Sequence, residues 1–190
     1  MPLLPWDRLN LVRTKIESLV IEYEFGGARR RYIPFRDCED FILEFLIDSY
    51  LMGWESAREQ LAPEGETPSP KTEEMYDCIY QKVAGENFVE RIREYARTGD
   101  VESIMRVAET DSHRVFNDSS LTTAKKLGAT SKTWNTMLDD RVRDTHVYLE
   151  SMTVGINDDF YTYDGDHAPA PGQFELPENS INCRCYLTYT

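Results

Sequence analysis

The sequence predicts an α+β protein: a predominantly helical N-terminal stem carrying a small C-terminal α+β module closed by a Cys-x-Cys strand. Three observations lead there. Apolar residues recur at helical spacing through the first two-thirds of the chain. After Gly128 the long periodic runs give way to short extended and irregular stretches. The chain then ends on "NCRCYLTYT", which reads as a last strand with two of the four cysteines at its start.

The elements follow in order. "WDRLNLVRTKIESLVIEYEF" reads as one helix with Leu9, Val12, Ile16, Leu19 and Val20 on a single face. "DCEDFILEFLIDSYLMGWESAREQL" reads as a second, with Asp37 as its expected N-cap and Phe41, Phe45, Leu46 and Trp54 facing the core. Residues 62–71, dense in Pro, Gly, Ser and Thr, form the expected linker, exposed and mobile. "TEEMYDCIYQKV" is helical, breaks at Ala84 and Gly85, and resumes as "NFVERIREYAR". Another helix runs from near Asp100 to Gly128, a glycine at the position of a C-cap. "TSKTWN" is extended. Thr136 with Asp139 then predicts a capping box that opens a helix over "MLDDRVRDTHVYLE", with Val142, His146 and Leu149 on one stripe. "DDFYTY" is a short strand, and "DGDHAPAPGQFELPENSI" is too irregular and too long for an ordinary connection. The expected division is a helical stem over residues 1–100, the docking region, and a module over residues 101–190.

Composition narrows the function classes. The 190 residues are 41% hydrophobic, with 11 Tyr, 8 Phe and 3 Trp, which is a globular composition. A formal charge of -13 argues against tight nucleic-acid binding, which needs clustered Lys and Arg. The one basic run, "ARRRYIPFR" over residues 28–36, reads as a solvated turn or a grip on an acidic protein partner. No window approaches the roughly 18 apolar residues of a membrane span, and the N-terminal stretch does not read as a signal peptide. Cys38 and Cys78 stand alone in helical sequence, so free thiols in a reducing cytoplasm are expected.

The chemistry concentrates in the module. In an extended segment Cys183 and Cys185 project to one side and Arg184 to the other. His146, on the buried stripe of the preceding helix, would approach both thiols. Those three are candidate ligands for Zn²⁺, with Asp140, Asp144 or His167 as a fourth. The plainer alternative is two small buried hydrophobes beside a core histidine, with no cofactor. In "DDRVRDTH", Asp139 and Arg143 stand at the spacing of an ordinary helix ion pair rather than of acid–base machinery. There is no Gly-rich phosphate loop, no nucleophile elbow and no His-Glu-x-x-His. Binding is expected, not catalysis.

These residues also carry a resemblance. Trp134, Asp139 or Asp140, Arg141, Arg143 and His146, followed by Asn182, Cys183, Arg184 and Cys185, resemble the pattern of the phage Mu F-like minor head proteins. Asn117 and the pair Thr110 and Asp111 sit where that family has an Asn and a Thr-Glu pair, so the resemblance covers roughly residues 105–187. The chain departs from the pattern at Asp111, where Glu is usual, and lacks a glycine soon after His146. Relatives with Cys-x-x-Cys in place of Arg143 and His146 have what looks like a zinc site. The resemblance implies a minor capsid protein acting in head assembly, DNA packaging or delivery. Its implied partners are the portal protein and the major capsid or scaffold protein, first in the host cytoplasm and then in the virion, at the capsid interior or portal vertex. It implies a structural clasp built from the pattern residues, with Arg184, Arg141 and Arg143 pairing nearby carboxylates. The alternative is a metal-dependent hydrolase, nuclease or toxin-like enzyme on the C-terminal module.

Overall fold

The computed structural model describes residues 5–65, 69–83 and 85–190. After a 3-10 turn at Pro5–Arg8, α1 (Leu9–Ser18) buries Val12 and Ile16, with Leu9, Leu19 and Val20 half-buried against the same core. The expected apolar face is therefore present, but the helix ends at Ser18. Ile21–Phe25 forms β1 and Ala28–Tyr32 forms β2, an antiparallel hairpin instead of a helical tail and a basic turn. The physical reason lies in Gly26 and Gly27, with φ of 61° and 77°. Two consecutive positive-φ residues make the tight turn whose twist matches paired strands.

Helix α2 (Phe35–Leu61) and helix α5 (Val101–Lys126) are the long axes of the molecule and pack along one another. They pack backbone to backbone at Gly53, where a Cβ would lie 2.1 Å from the Phe116 carbonyl oxygen. Pro34 occupies the N-cap of α2. Asp37 makes no capping bond and lies in the first turn, where its charge suits the helix dipole. Phe45 and Leu46 are buried; Phe41 and Trp54 are half-buried. Between the long helices come α3 (Thr72–Ile79) and α4 (Phe88–Thr98). Asn87 and Glu90 close a reciprocal capping box on α4. Glu66, Thr67 and Pro68 of the expected linker, and Ala84 of the expected break, lie outside the described residues. Asp100 caps α5 through the Ser103 amide, and Gly128 follows its end with φ of 84°.

The module is built on β3 (Ser131–Asn135), which pairs antiparallel with β4 (Thr153–Gly155) on one edge and β7 (Tyr186–Tyr189) on the other. Register sets Trp134 opposite Leu187 and turns both inward. A two-residue ribbon, β5 (Phe160–Tyr161) with β6 (His167–Ala168), packs Phe160 edge-on to Trp134, and α7 (Pro177–Ser180) precedes the cysteines. The expected helix over residues 137–150 is reduced to α6 (Asp144–Val147). The Thr136 hydroxyl accepts from the Leu138 amide two residues on, and Leu138 has φ of 54°. Serine and threonine hydroxyls offer the backbone such local turns in place of a helix cap.

Two hydrophobic clusters result. One gathers α1 to α4 with Ile104, Met105, Ala108 and Val115 of α5. The other gathers the module around Trp134 with Leu121 and Ala124 of the same helix. Among the described residues, no helix is long and apolar enough to cross a membrane.

Candidate functional site: a buried cysteine–histidine clasp

Cys183 and Cys185 lie in the extended segment that leads into β7 rather than inside the strand. Extended backbone still turns both sulfurs to one side. His146, on α6, meets them: its Nδ1 is 3.6 Å from Cys183 Sγ and 3.5 Å from Cys185 Sγ. All three side chains are 2% exposed. Trp134 lies edge-on to the imidazole with ring centroids 5.2 Å apart, and Phe174 covers it at 5.5 Å.

Backbone geometry around the thiols is set by the other pattern residues. Asn182 adopts φ of 56°, a left-handed conformation that Asn tolerates better than most residues, and this reverses the chain ahead of Cys183. Its amide donates to the Thr110 hydroxyl at 3.5 Å. Asn117, fully buried on α5, donates to the Cys185 carbonyl at 3.1 Å. Asp111 accepts from Arg91 at 2.6 Å and from Arg114, which also reaches the carbonyls of Cys78 and Ile79. The pattern thus couples α5 to the last segment of the chain.

Of the three arginines, Arg184 pairs a nearby carboxylate as expected and the other two do not. Arg184 reaches Asp139 at 2.6 Å, so Asp139 pairs across the chain and not with Arg143. Arg143 instead donates to the backbone carbonyls of Glu178 and Ile181, pinning α7 and the residues after it. Arg141 and Asp140 are exposed and outside the buried contact, and Arg141 is involved only through its amide to Asp139. His167 is half-exposed, stacked on Tyr161 and bonded to Asp159 at 2.9 Å, and it is not part of the His146 and thiol group. Among the described residues, His146, Cys183 and Cys185 alone form a group able to hold a metal, so Asp140, Asp144 and His167 supply no fourth ligand.

Sequence reasoning missed two supports of the irregular stretch. Asp166 is buried and accepts from the amides of His167 and Leu176 and from Asn179. Lys132 on β3 is fully buried and donates to the Pro169 carbonyl at 2.7 Å, and burial pushes its pKa down to about 8. A lysine among alternating strand residues was the available signal. Nothing in the sequence said which carbonyl it would reach.

The thiols have split acidities. Burial alone would raise Cys183, but hydrogen bonds from Cys185 and His146 hold it well below the usual thiol range. Cys185, donating to its neighbour and buried, is pushed well above it. One thiolate held by a thiol and an imidazole is the stable arrangement of the pair. For a zinc ion, the donor separations fit: Zn–S near 2.3 Å and Zn–N near 2.0 Å give tetrahedral edges of roughly 3.5 Å. Two features of a structural zinc site are lacking among the described residues: a fourth protein ligand, and a partner for the buried His146 Nε2. The adjoining cavity, between Arg141, Asn182 and the thiols, is ≈ 10 Å³, about the room of one water.

Residues 75–188 match the family described as Phage Mu protein F like protein. The chain belongs to that family. Among curated proteins it is similar to minor head protein GP7 of Bacillus phage SPP1, 29% identical over 85 residues, which are 43% of this chain and 28% of that protein. It is also similar to NAD(+)--arginine ADP-ribosyltransferase EFV of Enterococcus faecalis, 32% identical over 85 residues, 43% of this chain and 17% of that enzyme. The similarity thus spans less than a third of either relative's length. No solved structure matches the chain.

Proposed function

We propose that this Mu F-like protein is a binding part of the phage head without turnover, associated with the portal and the capsid interior, where it serves head assembly, DNA packaging or delivery. The clasp carries this reading. The family's pattern residues converge on a joint whose cavity takes about one water, so a substrate has no room to reach His146 or the thiols. Their proposed role is to lock the module's last segment onto α5. Trp134, Asp139, Arg143, His146, Asn182, Cys183, Arg184 and Cys185 take part; Asp140 and Arg141 stay outside it. A portal or capsid partner would meet the surface that this lock holds in shape.

The proposed clasp is stable without an ion, because Cys185 and His146 satisfy the Cys183 thiolate. Zn²⁺ is the ion that His146, Cys183 and Cys185 would hold; there it would replace those hydrogen bonds by ligand bonds. Co-expression with the portal protein tests the assembly reading: a complex that survives gel filtration is expected, and independent migration of the two proteins contradicts it. The rival reading, an enzyme, is favoured by the transferase relative alone. Incubation with NAD and arginine-bearing protein is expected to leave the NAD intact. Product in excess of the protein, lost in His146→Ala, overturns the non-enzymatic reading.

A further inference from the structure

The hairpin projects an apolar face that nothing among the described residues covers. Pairing sets Ile21 opposite Tyr32, Tyr23 opposite Arg30 and Phe25 opposite Ala28 on one face, and Glu22 opposite Arg31 and Glu24 opposite Arg29 on the other. On the first face Ile21, Tyr23, Phe25 and Tyr32 are 41%, 45%, 66% and 37% exposed. A two-stranded ribbon with an uncovered apolar face is marginal by itself, so covering it stabilises the ribbon. The face looks into a concavity of ≈ 780 Å³ formed with the start of α2 and with α4.

The concavity is basic in an acidic protein. Arg36, Arg93 and Arg97 line it with one carboxylate, Glu94, which Arg97 already engages. Arg93 lies over the Phe35 ring at 4.9 Å, and Arg30 over Phe25 at 5.6 Å. Arg36 and Arg93 make no ion pair among the described residues. Tyrosine, phenylalanine and arginine are the residue types enriched at protein–protein contacts, and guanidinium groups stacked on rings are pre-oriented for carboxylates.

We infer that this surface docks a protein segment in which carboxylates alternate with aliphatic side chains. The aliphatic groups would cover Tyr23, Phe25 and Tyr32, and the carboxylates would pair with Arg36 and Arg93. Duplex DNA fits less well, because its outer phosphate and sugar backbone offers no aliphatic groups to cover the exposed Tyr23, Phe25 and Tyr32. A second copy fits less well too. Edge pairing of β1 with itself, centred on Tyr23, would set Glu22 opposite Glu24 of the other copy, a like-charge pair. The inference does not depend on the portal reading.

The test uses the full chain and fluorescence anisotropy with three probes: a short peptide of Leu, Glu and Ser, the same peptide with every Glu replaced by Lys, and a short DNA duplex. Binding is expected for the acidic peptide alone. It should weaken with added salt, and at least ~tenfold in Arg36→Glu with Arg93→Glu and in Tyr23→Ala with Phe25→Ala. These side chains are exposed, so unchanged thermal melts certify the fold of each variant. No binding of the acidic peptide overturns the inference, as does binding that both variant pairs leave intact. Tighter binding of the duplex, lost with the arginines, makes the surface a nucleic-acid site instead. Concentration-dependent dimers of the wild type, dispersed by Tyr23→Ala with Phe25→Ala, make it a self-interface.

Discussion

The clasp and the hairpin are opposites in one molecule. The clasp buries ionisable groups and sets His146 Nδ1 and the two thiols against one another. The hairpin leaves large apolar side chains exposed to water. The first arrangement costs stability if any member is lost, since a buried group left alone forfeits its solvation. The second costs little to change within the isolated chain, since nothing rests on it. Residues that hold the protein together and residues that could hold it to something else are thus separable by their expected mutational cost.

The largest expected effect lies beside the clasp, at Asp111. It is 1% exposed and bonded to Arg91 and Arg114, of which Arg114 is 3% exposed. Asp111→Ala leaves a buried guanidinium uncompensated, and chemical denaturation should show a loss on the order of 3–5 kcal/mol. A loss below the experimental scatter would mean that the pair does not brace α5. Next come Cys183→Ala, Cys185→Ala and His146→Ala, each expected to lower stability by about 1–3 kcal/mol through lost packing. Their effects should not add, because the three side chains share one contact. Melts with and without EDTA separate the two forms of the clasp. Destabilised variants with a chelator-insensitive wild type are expected; an EDTA-induced drop together with one zinc per chain by mass spectrometry identifies a metal clasp.

A pH dependence sharpens the contrast. His113 is fully buried on α5, and burial, with the nearby Arg184 charge, pushes its pKa down to about 3 from 6.5. The unfolded chain therefore binds a proton that the folded chain refuses between those values. Stability contributed by neutral His113 is present above pH 6.5 and declines as pH falls toward 3. His113→Phe should flatten that decline; an unchanged acid limb would assign it to other groups. The smallest effect belongs to the hairpin: Phe25→Ser should alter stability by no more than ~0.5 kcal/mol. A larger loss would show that the ribbon is part of the core.

The helical part was legible because periodic burial and helix ends leave direct marks: Val12 and Ile16 on one face, Asp100 and Gly128 at the ends of α5. The hairpin was hidden because the helical face through Leu19 and Val20 runs straight into it, although Ile21, Tyr23 and Phe25 already alternate with charged residues as a strand does. Gly26 and Gly27 were a further local signal against a continued helix. At the site, the meeting of His146 with Cys183 and Cys185 was legible from alternation and the stripe. The helix proposed to carry His146 was not, since Arg143 fixes a single turn through the carbonyls of Glu178 and Ile181, residues far away in sequence. The partner of Asp139 was misjudged for the same reason: it sits at helical spacing from Arg143, but the helix that would join them is absent, and it pairs with Arg184.

The contact at Gly53 has a geometric consequence. With the α2 backbone against the Phe116 carbonyl, position 53 works like the pin of a pair of dividers. One arm, α2, begins beside the hairpin, and the other, α5, carries Asn117 and Thr110 to the cysteines. Any side chain at the pin must spread the arms, so Gly53→Ala would change the angle between the basic concavity and the module without altering a residue of either. Two Mu F-like chains could share every clasp residue and still present their N-terminal surfaces in different directions, by differing at this one position.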